Sequence, residues 1–189
     1  MTENIGSGFR NADSELFSKL VRCLDFMNEL PFFKAYKSHS WQTLKIEPEQ
    51  LILDVACGTG SDLIHLASRY PATNFIGVDK SESFLALAKA RAVSLPNIQF
   101  LPGDAQRLPL GEGAVDAARI DRSLQHIETP AAVLKVWPAS PRSAVASSLA
   151  NLIGKPLSCS MASLMTAGKS RVYSGVPSAI PSSGESWRR

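Results

Sequence analysis

Residues 51–60, Leu51-Ile52-Leu53-Asp54-Val55-Ala56-Cys57-Gly58-Thr59-Gly60, constrain this chain more than any other stretch. A short apolar run that stops abruptly in small residues suits a strand buried on both faces of a parallel sheet. Glycines allow backbone angles that other residues resist, and they let a ligand approach the main chain. Leu63, Leu66, Ala67 and Tyr70 then mark one face of a helix that ends before Pro71. The first turn of such a helix offers free N–H groups to a carboxylate or phosphate. A tight strand-to-helix turn with no ligand would carry the same G-x-G, so the rest of the chain must decide.

The pattern continues. Phe75-Ile76-Gly77-Val78 reads as a second strand closed by Asp79, and Ser81 caps a helix from about Glu82 to Ala92. Pro96 precedes a third strand, Ile98 to Leu101, and Ala114 to Ile120 make a fourth. Thr129-Pro130 open a further helix as cap and first helical position. Strands alternating with helices predict an α/β fold with a parallel sheet and helices on both faces. Upstream, Leu16, Phe17, Leu20, Leu24 and Met27 recur at helical intervals over 13–30, and Pro31 ends that helix. A second helical stretch offers Phe33, Tyr36, Trp41 and Leu44 to one broad face, for core or lid packing.

Ligands of open α/β sheets bind at the carboxyl ends of the strands. Asp79 stands there, 19 residues after Gly60, where a carboxylate can accept both hydroxyls of a ribose. A helix-capping acid is the alternative. Gly103-Asp104-Ala105 follows the third strand, and an acid there can accept from an adenine amino group, although Pro102-Gly103-Asp104 is also good turn chemistry. A nicotinamide dinucleotide site wants a third glycine, G-x-G-x-x-G, where this chain has Leu63. An oxidoreductase is therefore disfavoured.

D-V-A-C-G-T-G at 54–60, G-V-D-K-S at 77–81 and G-D-A-Q-R-L-P-L at 103–110 resemble motifs I, II and III of the class I S-adenosylmethionine-dependent methyltransferases. The pattern is similar to the branch of ubiquinone/menaquinone-biosynthesis and other small-molecule enzymes, over about residues 10–135. The resemblance implies a Rossmann-like sheet and S-adenosylmethionine as cofactor. It assigns Asp54, Ala56, Cys57, Gly58 and Gly60 to the methionine part, Asp79 to the ribose, Lys80 to the side of the adenine, and Asp104 and Ala105 to the adenine edge. Ala56 departs from the family's usual glycine, a small change of side chain. From Arg119-Ile120-Asp121-Arg122-Ser123-Leu124-Gln125-His126-Ile127, Asp121 is assigned to the methionine end, with Arg122, Gln125 or His126 facing the acceptor. His126 and Arg122 are the catalytic candidates. An unperturbed histidine titrates near about 6.5 and suits a general base, though a packing or capping role is the alternative. The implied activity is methyl transfer to a small molecule. The alternative is a non-catalytic remnant that at most binds the cofactor.

After Lys135 the text changes. Residues 136–189 hold 13 serines, six Lys/Arg and one acid, whereas residues 1–135 hold 14 Lys/Arg against 16 Asp/Glu. The net charge of +3 is thus a property of the tail, and no basic stripe invites nucleic acid. The resemblance implies a glycine pair and a fifth strand here, which the sequence does not spell, so the sheet is expected to be incomplete in its C-terminal half. Shifting the reading frame by one nucleotide lets residues 144–146 encode two glycines and residues 146–157 encode V-V-V-G-E-P-D-W-E-T-F, which restores that pattern. Residues 136–189 are accordingly read as out-of-frame translation or a poorly ordered tail, after a helical lid (1–45) and a cofactor-binding domain (46–135). Cys23, Cys57 and Cys159 lack disulfide-framework or metal-ligand spacing, and no metal is expected. Charges interrupt the N-terminus and no run approaches the roughly 20 apolar residues of a membrane span, so a cytoplasmic protein without a membrane partner is expected.

Overall fold

The computed structural model describes residues 16–111, 113–135 and 143–147. Five parallel strands form one sheet in the order β3-β2-β1-β4-β5. They are β1 (Leu51–Val55), β2 (Asn74–Asp79), β3 (Ile98–Pro102), β4 (Ala117–Asp121) and β5 (Ser143–Ser147). The helices are α1 (Phe17–Glu29), α2 (Pro31–Thr43), α3 (Ser61–Arg69), α4 (Glu82–Arg91) and α5 (Pro130–Lys135), with a single 3₁₀ turn at Leu124–His126.

Side chains alternate across a strand, and each face of this sheet has its own core. Ile52, Phe75, Phe100 and Ala117 pack with Leu63 and Leu66 of α3, Leu85 and Ala88 of α4, and Leu44. Leu53, Val55, Ile76, Val78, Ala118 and Ile120 pack on the other side with Leu124 and Val133. Each buried Leu, Ile, Val or Phe among them contributes about 1.5–3 kcal/mol. Ser81 caps α4 as expected, its hydroxyl accepting from the Phe84 N–H at 3.1 Å.

The first three strands and the helices between them fall where the sequence places them. Pro31 does more than end α1: it is the first residue of α2, where its missing N–H costs nothing. The α2 face is also mixed rather than aromatic, since Lys37 and Ser40 are its buried residues. β4 begins at Ala117, not Ala114. The Ala114 N–H turns back to the Gly111 carbonyl, and Leu51 and Asp116 exchange hydrogen bonds at the strand's entry.

The sheet has a fifth strand from the tail, centred on Ala144-Val145-Ala146, an apolar triplet able to stand in for the strand that the sequence does not spell. Ser143–Ser147 pairs along all of β4, from Ala117 opposite Ser143 to Asp121 opposite Ser147. The edge of β4 is therefore paired and not open to other chains. The remainder of the serine-rich tail, and with it the out-of-frame reading, lies outside the described residues, as does the start of the N-terminal segment. Among the described residues no helix is long and apolar enough to cross a membrane.

Candidate functional site

One cavity of about 780 Å³ opens at the carboxyl ends of β1 to β4, beneath α1 and α2. That volume falls within the range of small-molecule sites, about 300–1,000 Å³. Asp54, Ala56, Cys57, Gly58, Asp79, Lys80, Asp104, Ala105, Asp121, Arg122, Gln125 and His126 all line it. Gly60 does not; it is buried behind the loop as the N-cap of α3, at φ +71°.

The strand-to-helix loop is shaped by contacts that exclude side chains. A Cβ on Gly60 would stand 2.7 Å from the Phe100 ring, and one on Gly77 would meet the same ring at 2.7 Å and the Cys57 sulfur at 2.8 Å. Phe100 fills the space that both glycines leave. Gly58, at φ +54°, has open space where its Cβ would be, so the backbone itself faces the cavity. Ala56 takes φ +56°, a left-handed conformation that costs a non-glycine residue roughly 1–2 kcal/mol.

Asp79 is pinned by backbone. Its Oδ2 accepts from the Gly58 N–H at 2.7 Å and its Oδ1 from the Ser81 N–H at 2.9 Å. Burial raises its pKa, and these two N–H groups and Lys80 oppose the rise. The Lys80 N–H bonds the same carboxylate, and Asp79 lines the cavity. Asp104 is similarly shaped, with Oδ1 accepting from the Gln106 N–H at 2.8 Å. Burial, then the charges of Asp54 and Asp79, hold the Cys57 thiol well above its usual range, so it stays protonated.

Beneath the loop lies a charge cluster that sequence reasoning missed. Arg119 is 1% exposed in the middle of β4, directly across from Asp54 in the strand register. Its Nη1 donates to Asp62 Oδ2 at 2.8 Å and to Asp54 Oδ2 at 3.3 Å, and its Nη2 stands 3.2 Å from Asp121 Oδ2. That last contact is ionic without hydrogen-bond alignment, because Nη2 and Nε have no hydrogen-bond partner. Lys37 reaches down from α2 to donate to Asp62 and, at 2.7 Å, to Asn28. Burial would raise both acids. For Asp54 it prevails and holds the carboxyl at about 7, despite Arg119. For Asp62 the charges of Arg119 and Lys37 outweigh it and lower the carboxyl to about 2. Burial disfavours the charge on Arg119, but Asp54, Asp62 and Asp121 overcome this and raise its pKa. A lone arginine inside an apolar strand was the available signal, since a buried charge requires partners.

The far end of the cavity is built from side chains of α1 and α2. The Tyr36 hydroxyl donates to Asp121 Oδ1 at 2.6 Å. Arg122, at φ +55°, lies under the lid with its guanidinium 5.1 Å from the Phe33 ring centre and Nη1 3.9 Å from the Met27 sulfur. His126 ends the 3₁₀ turn, with Nε2 3.2 Å from Gln125 Nε2.

The strand order and the glycine loop after β1, with acids at the ends of β2 and β3, define an open α/β domain whose cavity lies where such sheets bind ligands. Residues 52–138 match the family model described as a methyltransferase domain. A 37.1 kDa uncharacterized protein of transposon TN4556 from Streptomyces fradiae is 37% identical over 115 residues, 60% of this chain and 33% of that protein. The demethylmenaquinone methyltransferase of Lactococcus lactis is 33% identical over 127 residues, 64% of this chain and 50% of that enzyme. Among solved structures, the 4+2 cyclase SpnF superposes with a TM-score of 0.51 at 26% identity, over 53% of this chain and 38% of the cyclase. The described domain is thus similar to the class I S-adenosylmethionine-dependent methyltransferases, a family whose cofactor is S-adenosylmethionine. The chain spans half or less of the length of these curated relatives.

Proposed function

We propose that this chain transfers the methyl group of S-adenosylmethionine to a small-molecule acceptor. The observation that carries the reading is that one cavity has two unlike ends. At one, Asp79 and Asp104 stand at the ends of β2 and β3 beside an open glycine backbone. At the other, Arg122 meets Met27 and the Phe33 ring, and Phe32, Gln125 and His126 line the same cavity. The relatives named as methyltransferases agree with a small acceptor, as the Lactococcus enzyme's name does for demethylmenaquinone.

Bound S-adenosylmethionine supplies a methyl group already activated by its sulfonium. The protein's own share is then alignment and exclusion of water. Asp79 would accept the ribose hydroxyls, Asp104 would take the adenine edge with Ala105 and Lys80 beside it, and the loop from Ala56 to Gly58 would carry the methionine part. Asp54 and Asp121, tied to Arg119, fix the floor under that part. α1 and α2 form the lid, and holding two reactants in line is worth up to about 7–11 kcal/mol of a barrier. His126 accepts the proton of a hydroxyl or amine acceptor, where the acceptor must lose one.

Calorimetric titration with S-adenosylhomocysteine and with NADH tests this. Micromolar binding of the first and none of the second is expected. Asp79→Ala removes two charge-assisted hydrogen bonds of about 1.5–3 kcal/mol each, so affinity should fall by about a hundredfold or more. NADH binding without a response to S-adenosylhomocysteine would overturn the proposal. Cofactor binding with no turnover of any acceptor would favour a chain that binds and does not catalyse.

A further inference from the structure

We propose that Arg122 selects the acceptor, and that the acceptor is a small molecule with an apolar body and a carboxylate, which the guanidinium takes inside the cavity. The inference rests on the methyl-transfer reading and adds the substrate class to it. Arg122 leaves β4 at φ +55°, a conformation rare for a residue with a side chain, and its side chain is 15% exposed. The guanidinium lies over the Phe33 ring, its carbon 5.1 Å from the ring centre, which holds the cation in place. Its polar contacts are weak. Nε stands 3.4 Å from Asp121, which already receives the Tyr36 hydroxyl at 2.6 Å and Arg119 at 3.2 Å. Nη1 meets only the Met27 sulfur, at 3.9 Å. A guanidinium carries five N–H donors in a fork that matches a carboxylate. Among the described residues none accepts from Nη2. This is a positioned cation with donors to spare at the apolar end of the cavity, where Phe32, Phe33 and Met27 would cover the body of the acceptor. Lys37 and Arg119 are not alternatives, because Asp54 and Asp62 already engage them.

The test uses the full chain saturated with S-adenosylhomocysteine and two matched pairs of probes, cinnamate with cinnamamide and hexanoate with hexanamide. At least one carboxylate should bind about tenfold or more tightly than its amide, the increment of a charge-assisted hydrogen bond. Arg122→Gln should erase that preference and leave the affinity for S-adenosylhomocysteine within about twofold, which also reports that the variant folds. Arg122→Lys should keep part of the preference, having charge without the fork. Equal binding of acid and amide, no binding by either pair, or a preference that survives in Arg122→Gln would overturn the inference. A large loss of S-adenosylhomocysteine affinity in folded Arg122→Lys would also overturn it, by making Arg122 part of the cofactor site. Wild-type chain that binds no S-adenosylhomocysteine removes the methyl-transfer reading and this inference together. Cofactor binding without carboxylate preference removes this inference alone.

Discussion

The two ends of the cavity are held by different means. At the cofactor end, backbone does the holding: the N–H groups of Gly58 and Ser81 pin Asp79, and Gly60 and Gly77 close on Phe100. At the lid end, side chains distant in sequence meet one another, as Tyr36 meets Asp121 across 85 positions and Arg122 meets Met27 across 95. Backbone geometry needs only a few permissive residues at fixed spacing. Side-chain contacts need both partners, so either can change and release the other. The first end should be hard to alter without harm to folding, and the second easy to alter with effects confined to binding.

The sharpest break in that comparison is Arg119→Met. It leaves three buried acids around an apolar side chain, and removing one partner of a buried ion pair costs about 3–5 kcal/mol. Thermal unfolding should shift down by roughly 10 °C or more, and a shift below 3 °C would mean that the cluster is already hydrated. Gly77→Ala comes next. Its new Cβ meets Phe100, Cys57 and Leu63 at 2.7 to 2.9 Å, and overpacking of this kind costs about 1–3 kcal/mol. Denaturant titration should show the loss, and an unchanged midpoint would show that the Phe100 ring yields freely.

Tyr36→Phe probes the lid end. It removes one hydrogen bond to a carboxylate, about 1.5–3 kcal/mol at most, and should weaken S-adenosylhomocysteine binding while the unfolding temperature moves little. A fall in unfolding temperature with unchanged affinity would reverse the contrast. The smallest effect is expected at the outer latch between α1 and α4, where Arg91 grips Asp25 with both nitrogens at 2.9 and 2.6 Å. Asp25 is exposed, so Asp25→Asn should change stability by less than about 1 kcal/mol, and less still in high salt.

Acidity sharpens the comparison further. Asp54 keeps its proton up to about pH 7 in the folded chain, whereas an unfolded aspartate loses it near about pH 4. Between those values the folded state binds more protons, so this group makes stability fall as pH rises from about 4 to 7. Asp62, lowered to about 2, acts oppositely: its contribution is present above about pH 4 and is lost as pH falls toward 2. Asp54→Asn should therefore flatten the decline between pH 4 and 7 in the difference between its unfolding curve and that of the wild type. Parallel pH profiles for the two proteins would show that Asp54 titrates as an ordinary carboxyl.

The same division explains what could be read in advance. β1, β2, β3, α3 and α4 are set by local patterns, apolar runs ending at Asp79 or Gly103 and a capping Ser81, so their positions follow from neighbours in the sequence. Nothing local in the sequence marks Lys37 or Asp62 as partners of a buried charge. Only the fold brings both to Arg119. Ala144-Val145-Ala146 are apolar enough to pack against β4, but nothing local in Ser143–Ser147 gives the register, which the ladder along β4 supplies. The start of β4 was misplaced because Val115 is buried just outside it, and burial, not pairing, was what its apolar character reported.

Ala56 carries a consequence for how this sequence can drift. Any alanine codon becomes a glycine codon by one change at its second base. At φ +56° that change relieves a backbone penalty of roughly 1–2 kcal/mol and removes only a methyl group from the cavity wall. A more stable neighbour therefore lies one mutation away, and natural variation at position 56 records whether selection has favoured stability or the shape that the methyl group gives to the floor.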